Sequence, residues 1–284
     1  MSLKEQFGKD VLLTGWGHSR FGKLTNETLE SLIVQVATEA IGNAGIEPGQ
    51  IDEIYLGQFN SGMMPLAFPS SLALQVSDQL ANVAATRVEN ACASGSAAFQ
   101  QGTKSLLAGT AKTVLVIGAE KMTHAGADVV GAALLGADYD MAGQTSTTGF
   151  TGLFADVAKH YGKRYGPVSD VLGSIAAKNH RNGVDNPYAQ LRKDLGEEFW
   201  PHRLRQEPHG RRSPAPHGLL PRVRRCRGRC AVHLTNSRGH CAGASGGLRP
   251  RERLLPGRTA GPHRLRRHAS VMAARAGDGR RRTC

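Results

Sequence analysis

The sequence predicts an α/β fold over residues 1–199, a mixed sheet with helices on both faces, followed over residues 200–284 by a basic tail without an expected fold. Three observations predict it. Short apolar runs that stop at glycine alternate with segments whose apolar residues recur at three and four. The strand-like runs are continuously apolar, as in strands buried on both faces. Near Phe199 the alternation ends and the composition changes abruptly.

Residues 11–15 (VLLTG) form a short apolar run stopped by glycine, a buried strand. Asn26 is placed as an N-cap for a helix whose apolar face carries Leu29, Leu32, Ile33, Val36, Ala37, Ala40, Ile41 and Ala44. Gly45 supplies its stop. Residues 51–56 read as the next strand, closing at Gly57. Residues 69–80 read as helical, 84–88 as extended, and 94–108 as helical with Gly109 behind. Residues 113–118 (TVLVIG) are the clearest buried strand. From 120 to 151 the periodicity fails, and 144–149 (QTSTTG) is surface loop. Two more helices follow. One carries Leu153, Phe154, Val157, Ala158 and Tyr161 and ends at Gly166-Pro167; the other carries Val171, Leu172, Ile175 and Ala176. Asn186-Pro187 is a turn.

The formal net charge of +13 is an average over two unlike halves. Residues 1–199 hold 15 Lys and Arg against 20 Asp and Glu, a mildly acidic body. The tail holds 21 Arg against three acids, and no Lys, Ile, Phe or Tyr. An arm selected for nucleic acid has no reason to exclude Lys, since both cations neutralise phosphate. The missing residues have AT-rich codons, and the abundant Arg, Gly, Ala and Pro have GC-rich ones. We therefore read the chain from about Trp200 onward as out-of-frame translation of GC-rich coding DNA, disordered because it cannot bury enough apolar surface. Specific nucleic-acid recognition is excluded as a class, since no aromatic residues interleave to stack bases. Cys226, Cys230, His233, His240 and Cys241 fall near zinc spacing, but in a segment enriched in Arg, His, Pro and Cys together this is chance, and no metal is expected. The N-terminus lacks a signal-peptide pattern and no apolar run approaches the ~18 residues of a membrane span. Of five cysteines only Cys92 lies in the body, which points to a reducing cytoplasm.

The most informative segment runs from Arg87 to Gly102 (RVENACASGSAAFQQG). A strand ends, and Cys92 sits where a helix begins. A thiol there faces helix N–H groups and the positive end of the dipole, which favour thiolate and could hold an oxyanion formed at a thioester carbonyl. The following small residues, Ala93 to Ala98, let this helix pack closely and place it centrally.

This segment, with TVLVIGAEKM behind it, resembles the nucleophile strand, turn and buried helix of the thiolases. VLLTGWGHSRFGKL and LESLIVQVATEAIGNAGIEPGQIDEIYLG resemble the same family's opening, and AAKNHRNGVDNPYAQ its sterol-carrier-protein-x branch. The resemblance covers nearly all of residues 1–199 in the expected order. It implies two similar α/β halves stacked in five layers and reversible Claisen chemistry on 3-ketoacyl-CoA, with Cys92 as the catalytic nucleophile. It also implies coenzyme A and acyl-CoA as substrates, no cofactor or metal, and a homo-oligomer, dimer or tetramer, when both halves are present. The family's bases come from a Gly-His-Pro turn and a glycine-rich cysteine loop in the second half. Neither motif occurs after residue 199: GHC at 239–241, GPH at 261–263 and PHG at 216–218 are not matches. The resemblance therefore implies a thiolase inactive in this form; the alternative is a non-catalytic thiolase-like acyl-CoA-binding subunit. His18, His124, His160 and His180 are weaker candidates for a base, with His160 and His180 expected at the solvated surface. Lys121 and Lys163 lie in or near the middle region through which thiolases bind CoA, but solvated charge is expected of both.

Overall fold

The computed structural model describes residues 2–199 and, as backbone, residues 230–236; the expected disorder of the rest of the tail lies outside the described residues, as do Cys226, His240 and Cys241 and the side chains of Cys230 and His233. Five strands form one sheet: β1 (Val11–His18), β2 (Glu53–Gly57), β3 (Ala84–Val88), β4 (Thr113–Gly118) and β5 (Cys230–Asn236), in the order β1-β5-β4-β2-β3. β2 runs parallel to β3 and β4, so Gly57 stands beside Val88 and Gly118 at one edge of the sheet. β5 runs antiparallel to both β1 and β4. Helix–strand periodicity does not anticipate β5. Its CAVHLTN run has no glycine or proline and alternates in polarity from Val232 to Thr235, so it can join a ladder where two strands flank it.

The sheet is covered on both faces. A short helix α1 (Leu3–Phe7) precedes β1, and helix α2 (Leu29–Ala44) lies across one face. The cap of α2 is Thr28 rather than Asn26: its hydroxyl accepts from the Ser31 N–H while the Ser31 hydroxyl accepts from the Thr28 N–H, a reciprocal box immediately ahead of the helix. Gly45 ends it in the left-handed conformation at φ 66°. The predicted face is buried, and Ile33, Val36 and Ala37 meet Ile54, Leu56, Leu115 and Ile117 from the sheet. Contact with β1 is possible only because residues 15 and 17 are glycine; a Cβ on Gly17 would run into the Val36 carbonyl oxygen. Residues 69–80 form 3-10 turns, Pro69–Val76 and Asp78–Leu80, instead of an α-helix. Ser77 is extended between them, and the Ser70 hydroxyl is tied to the Ala85 carbonyl on β3 (3.1 Å).

Helix α3 (Ser94–Ala108) covers the other face, where Ala98 and Leu106 pack with Val114, Val116 and Tyr55. Beneath it the Tyr55 hydroxyl donates to Glu53 Oε2 (2.8 Å) and lies 2.9 Å from Ser105 Oγ. Burial raises the Tyr55 pKa and the Glu53 carboxylate adds to the rise, while the Ser105 hydrogen bond opposes it. A folded-state pKa above the unfolded one stabilises the protein at pH below the unfolded value, and that stability is lost as pH rises through the folded pKa. Urea midpoints measured from pH 8 upward should therefore fall more steeply for the natural chain than for Tyr55→Phe once the ordinary tyrosine pKa of about 10 is passed. Parallel curves would remove Tyr55 from the account.

Helix α4 (Ala127–Leu135) lies inside the stretch without periodicity. ADVVGAALL is apolar almost all round, so it has no polar face to mark a period. Helices α5 (Gly149–Tyr165) and α6 (Ser169–Val184) fall where predicted, but they bury their small residues, Gly152, Ala155, Gly173 and Ala177. Phe154, Val157, Tyr161, Val171 and Ile175, which carry the apolar pattern, are exposed.

Candidate active site

Cys92 lies in a 3-10 turn, Ala91–Ala93, between the end of β3 and the start of α3, and its side chain is exposed. The turn is bent rather than relaxed. Ala91 has φ 43°, a left-handed conformation that a residue with a Cβ adopts only when its surroundings enforce it. Three hydrogen bonds enforce it here. Glu89 Oε1 accepts from the Ala91 N–H (2.5 Å), and Ser94 Oγ accepts from the Asn90 N–H (2.9 Å) while donating to the Ala91 carbonyl (2.7 Å). The Ala93 and Ser94 N–H groups are spent inside the turn on the carbonyls of Asn90 and Ala91. Cys92 therefore sits one 3-10 turn ahead of the α-helix proper. Ser94 is buried, so Ser94→Ala removes the partner of the Asn90 N–H, while the Ala91 carbonyl keeps the Ser94 N–H, at a cost of roughly 1–3 kcal/mol. Thermal unfolding should show that loss together with faster alkylation of Cys92 in a loosened turn; an unchanged melting temperature would count against the lock.

The turn is seated on the sheet through Gly57. A Cβ there would stand 2.5 Å from the Ser94 carbonyl oxygen and 2.8 Å from the Gly95 Cα, so only glycine admits the first turn of α3 at this depth. Cys92 thus belongs to the carboxyl-end edge of the parallel strands, where open α/β sheets hold ligands. Other polar groups gather at that edge which sequence reading passes over. Gln58 is 1% exposed, and neither its Nε2 nor its Oε1 has a hydrogen-bond partner among the described residues. Glu120 Oε2 accepts from the Phe59 and Asn60 N–H groups (2.8 and 3.3 Å), tying the loop after β2 to the one after β4. Asn60 and Ser61, at φ 53° and 42°, are strained like Ala91. The available signal was local: polar residues directly behind glycine-terminated apolar strands, at Gly57-Gln58 and Gly118-Ala119-Glu120.

The remaining candidates scatter. Lys121 is not solvated: it is 9% exposed and its Nζ donates to the Leu24 carbonyl (2.5 Å), because the strand end that carries it is covered by the 19–27 loop. Lys163 is exposed in the last turn of α5. His18 packs against Phe21 and Tyr188 with ring centroids 5.4 and 4.6 Å away, and His124 Nε2 donates to the Met63 carbonyl (2.8 Å). His160 is exposed on α5, and His180, expected at the surface, is half-buried on α6. None of the four hydrogen-bonds to Cys92. Residues 144–148 are loop, with Ser146 Oγ accepting from the Gly149 N–H as α5 begins (3.0 Å). The outer side of α3, including Ser96 and Phe99, is uncovered among the described residues, although its small residues predicted a central place. No cluster of three or more potential metal ligands occurs among the described residues, and no described helix is long and apolar enough to cross a membrane.

Comparison with known proteins places this architecture. The family model of the thiolase N-terminal domain matches residues 12–198. Acetyl-CoA acetyltransferase of Methanocaldococcus jannaschii is 34% identical over 183 residues, covering 64% of this chain and 46% of that protein. Sterol carrier protein 2 of Gallus gallus is 24% identical over 196 residues, covering 64% of this chain and 34% of that protein. Human mitochondrial 3-ketoacyl-CoA thiolase, solved in complex with CoA, shares the fold at a TM-score of 0.58 and 13% identity, over 81% of this chain and 66% of that one. The chain spans about half the length of the acetyltransferase it matches, 46%. With strand, turn and helix in the same order across residues 12–198, the chain belongs to the thiolase family, whose N-terminal domain it contains.

Proposed function

We propose that this domain serves acyl transfer on 3-ketoacyl-CoA through Cys92, and that the chain in its present form does not turn over. In the thiolase family, coenzyme A and acyl-CoA are substrates rather than resident cofactors. The observation that carries the reading is the exposed thiol on an enforced turn at the carboxyl-end edge of parallel strands. The Cys92 thiolate attacks the 3-keto carbonyl, the C2–C3 bond breaks, and the acyl group stays on Sγ while the acetyl-CoA enolate takes up a proton. The thiol of a second CoA then attacks the acyl-enzyme, releasing shortened acyl-CoA and returning the thiolate. Two easier exchanges replace one difficult one.

The thiol needs a base, and the α-carbon needs a group that gives it a proton here and acts as the base in the condensation direction. None of the described residues meets Cys92 in that role. In the reading proposed here both bases come from a second α/β half that covers the open side of α3 and builds the dimer or tetramer. Between family branches, the 34% identity to the archaeal acetyltransferase favours acetyl transfer over the sterol-carrier-protein-x type, at 24%. A cytoplasmic setting accords with the single body cysteine. The absence of both base motifs favours one second reading, a non-catalytic subunit that retains the acyl-CoA scaffold.

The coding DNA separates them. A one-base shift near codon 199 should open a frame that continues with α/β periodicity and a Gly-His-Pro turn, and the protein made from that frame should thiolyse acetoacetyl-CoA. The 284-residue chain should not, since each missing base forfeits about 10²–10⁴ in rate. Periodicity in neither alternative frame would sink the out-of-frame reading, and turnover by the chain as written would sink its inactivity.

A further inference from the structure

Helix α5 is seated through its small residues, Gly152 and Ala155, and turns its apolar stripe outward. Phe154, Val157, Tyr161 and Tyr165 are between 46 and 66% exposed. Four such side chains on one helix face form a contiguous patch of the kind that marks an interaction surface. Their spacing narrows what can cover it. Residues 154, 157 and 161 follow the three-four step of a coiled-coil seam, and Arg164 takes the next seam position. A second helix fits such a seam, because its side chains fill the gaps between these. The rings already form ridges along it: Phe150 packs edge-on to Phe154 (centroids 5.2 Å apart), and Tyr161 leans on Tyr165 (4.7 Å). An open groove of about 540 Å³ runs along the same face, lined by Leu153, Val157, Tyr161 and Arg164 and by the carboxylates Asp138 and Asp156.

Charge decides between a lipid surface and a protein. Lys159 and Lys163, the other cations of the helix, stand about 160° around it from Tyr161, away from whatever the stripe enters. An anionic bilayer would therefore meet two carboxylates beside one guanidinium. A groove that carries both signs complements itself, as a two-fold interface requires, where residue i meets j and j meets i. Arg164 is the group left to pair: it lies over the Tyr165 ring at 5.3 Å and forms no ion pair among the described residues. Asp156 precedes it by two turns, so two copies bring these unlike charges together only when they run antiparallel. We propose that α5 is a homodimerisation helix: two copies of the chain pair through it about a two-fold axis, antiparallel, with Val157 against Tyr161 of the second copy and Phe154 against its Arg164. In that register each Arg164 reaches an aromatic face and comes within a turn of a carboxylate, and the helix dipoles oppose. The contact is separate from Cys92 and from the open side of α3, so it stands or falls independently of acyl transfer. One seam covers less than the roughly 800 Å² per partner of a standard interface, so the dimer is reversible and depends on concentration.

Two experiments on the full chain test this. In sedimentation velocity the natural chain should pass from monomer to dimer as its concentration rises over a roughly 100-fold range, by mass action. Val157→Asp/Tyr161→Asp should stay monomeric at the top of that range. Both positions are exposed, so the melting temperature of this variant, read where the natural chain is monomeric, should match the natural one. The register is read on single-cysteine chains in which the five native cysteines are serine. Phe154→Cys mixed with Arg164→Cys should form a disulfide-linked pair on oxidation. Phe154→Cys alone should not, since positions 154 of antiparallel copies stand ~15 Å apart along the axis, beyond disulfide reach. If the double-aspartate chain fails to fold, this crosslink decides the question. A natural chain that stays monomeric throughout, a dimer that survives Val157→Asp/Tyr161→Asp in a folded chain, or Phe154→Cys linking to itself would overturn the proposal. So would binding to phosphatidylglycerol vesicles that the two aspartates abolish in a chain that does not dimerise, which would give this face to lipid.

Discussion

Cys92→Ala, in a protein that carries a complete second half, should lower thiolysis of acetoacetyl-CoA by on the order of 10⁴-fold or more, as removal of a covalent nucleophile does elsewhere. The expectation rests on position as much as on residue type. The thiol is exposed, whereas the residues that place it, Ser94 and Gly57, are buried. Alanine removes the attacking atom without touching the hydrogen bonds that bend the turn, since those come from Glu89, Asn90, Ala91 and Ser94. The melting temperature should therefore hardly move while turnover is lost. A covalent acyl group should be recoverable on the 92-containing peptide of the active enzyme and missing from the variant. Full thiolysis by Cys92→Ala would remove the nucleophile assignment, whatever the fate of the tail.

The largest structural effect is expected at Gly57. Alanine there would place its Cβ 2.5 Å from the Ser94 carbonyl oxygen and 2.7 Å from its carbon, both backbone atoms of the first helical turn. No flexible side chain can yield, so α3 must lift or the end of β2 must bend. Overpacking of this kind costs roughly 1–3 kcal/mol, and here it also displaces the turn that carries Cys92. Gly42→Ala is the matched control: it lies in α2 with nothing within 4 Å of its would-be Cβ. It should stabilise by roughly 0.5–1 kcal/mol through helix propensity. Chemical unfolding and the iodoacetamide rate at Cys92, read on both variants, separate a seat for the turn from a general intolerance of substitution. Gly57→Ala that unfolds and alkylates like the natural chain would show that the seat is not needed.

The region around Cys92 was legible in detail because its signals are local. The predicted extents of β3, α3 and β4 coincide with the observed Ala84–Val88, Ser94–Ala108 and Thr113–Gly118. Each is bounded by residues that act within a few positions: glycine at 109, and a continuous β-branched and aliphatic run at 113–117. The strand–turn–helix placement of Cys92 follows from those bounds. Gln58 and Glu120 were missed because burial without a partner among the described residues, or a carboxylate bridging two loops 61 residues apart, leaves no periodic trace.

By itself the sequence determined the order of strands and most helices through residue 184, the apolar face of α2, the position of the one body cysteine and the family to which these belong. Tertiary structure alone decided which groups lie inside. Lys121 is buried because its ammonium meets a carbonyl 97 residues away, while Phe154, Val157 and Ile175 stay outside because α5 and α6 pack through glycine and alanine. It also decided that residues 230–236 stand between β1 and β4. Helix and strand periodicity report the conformation of a segment and the face it can bury. What covers that face, and which strand completes a sheet, depends on backbone groups far apart in the chain whose donors and acceptors must all be met.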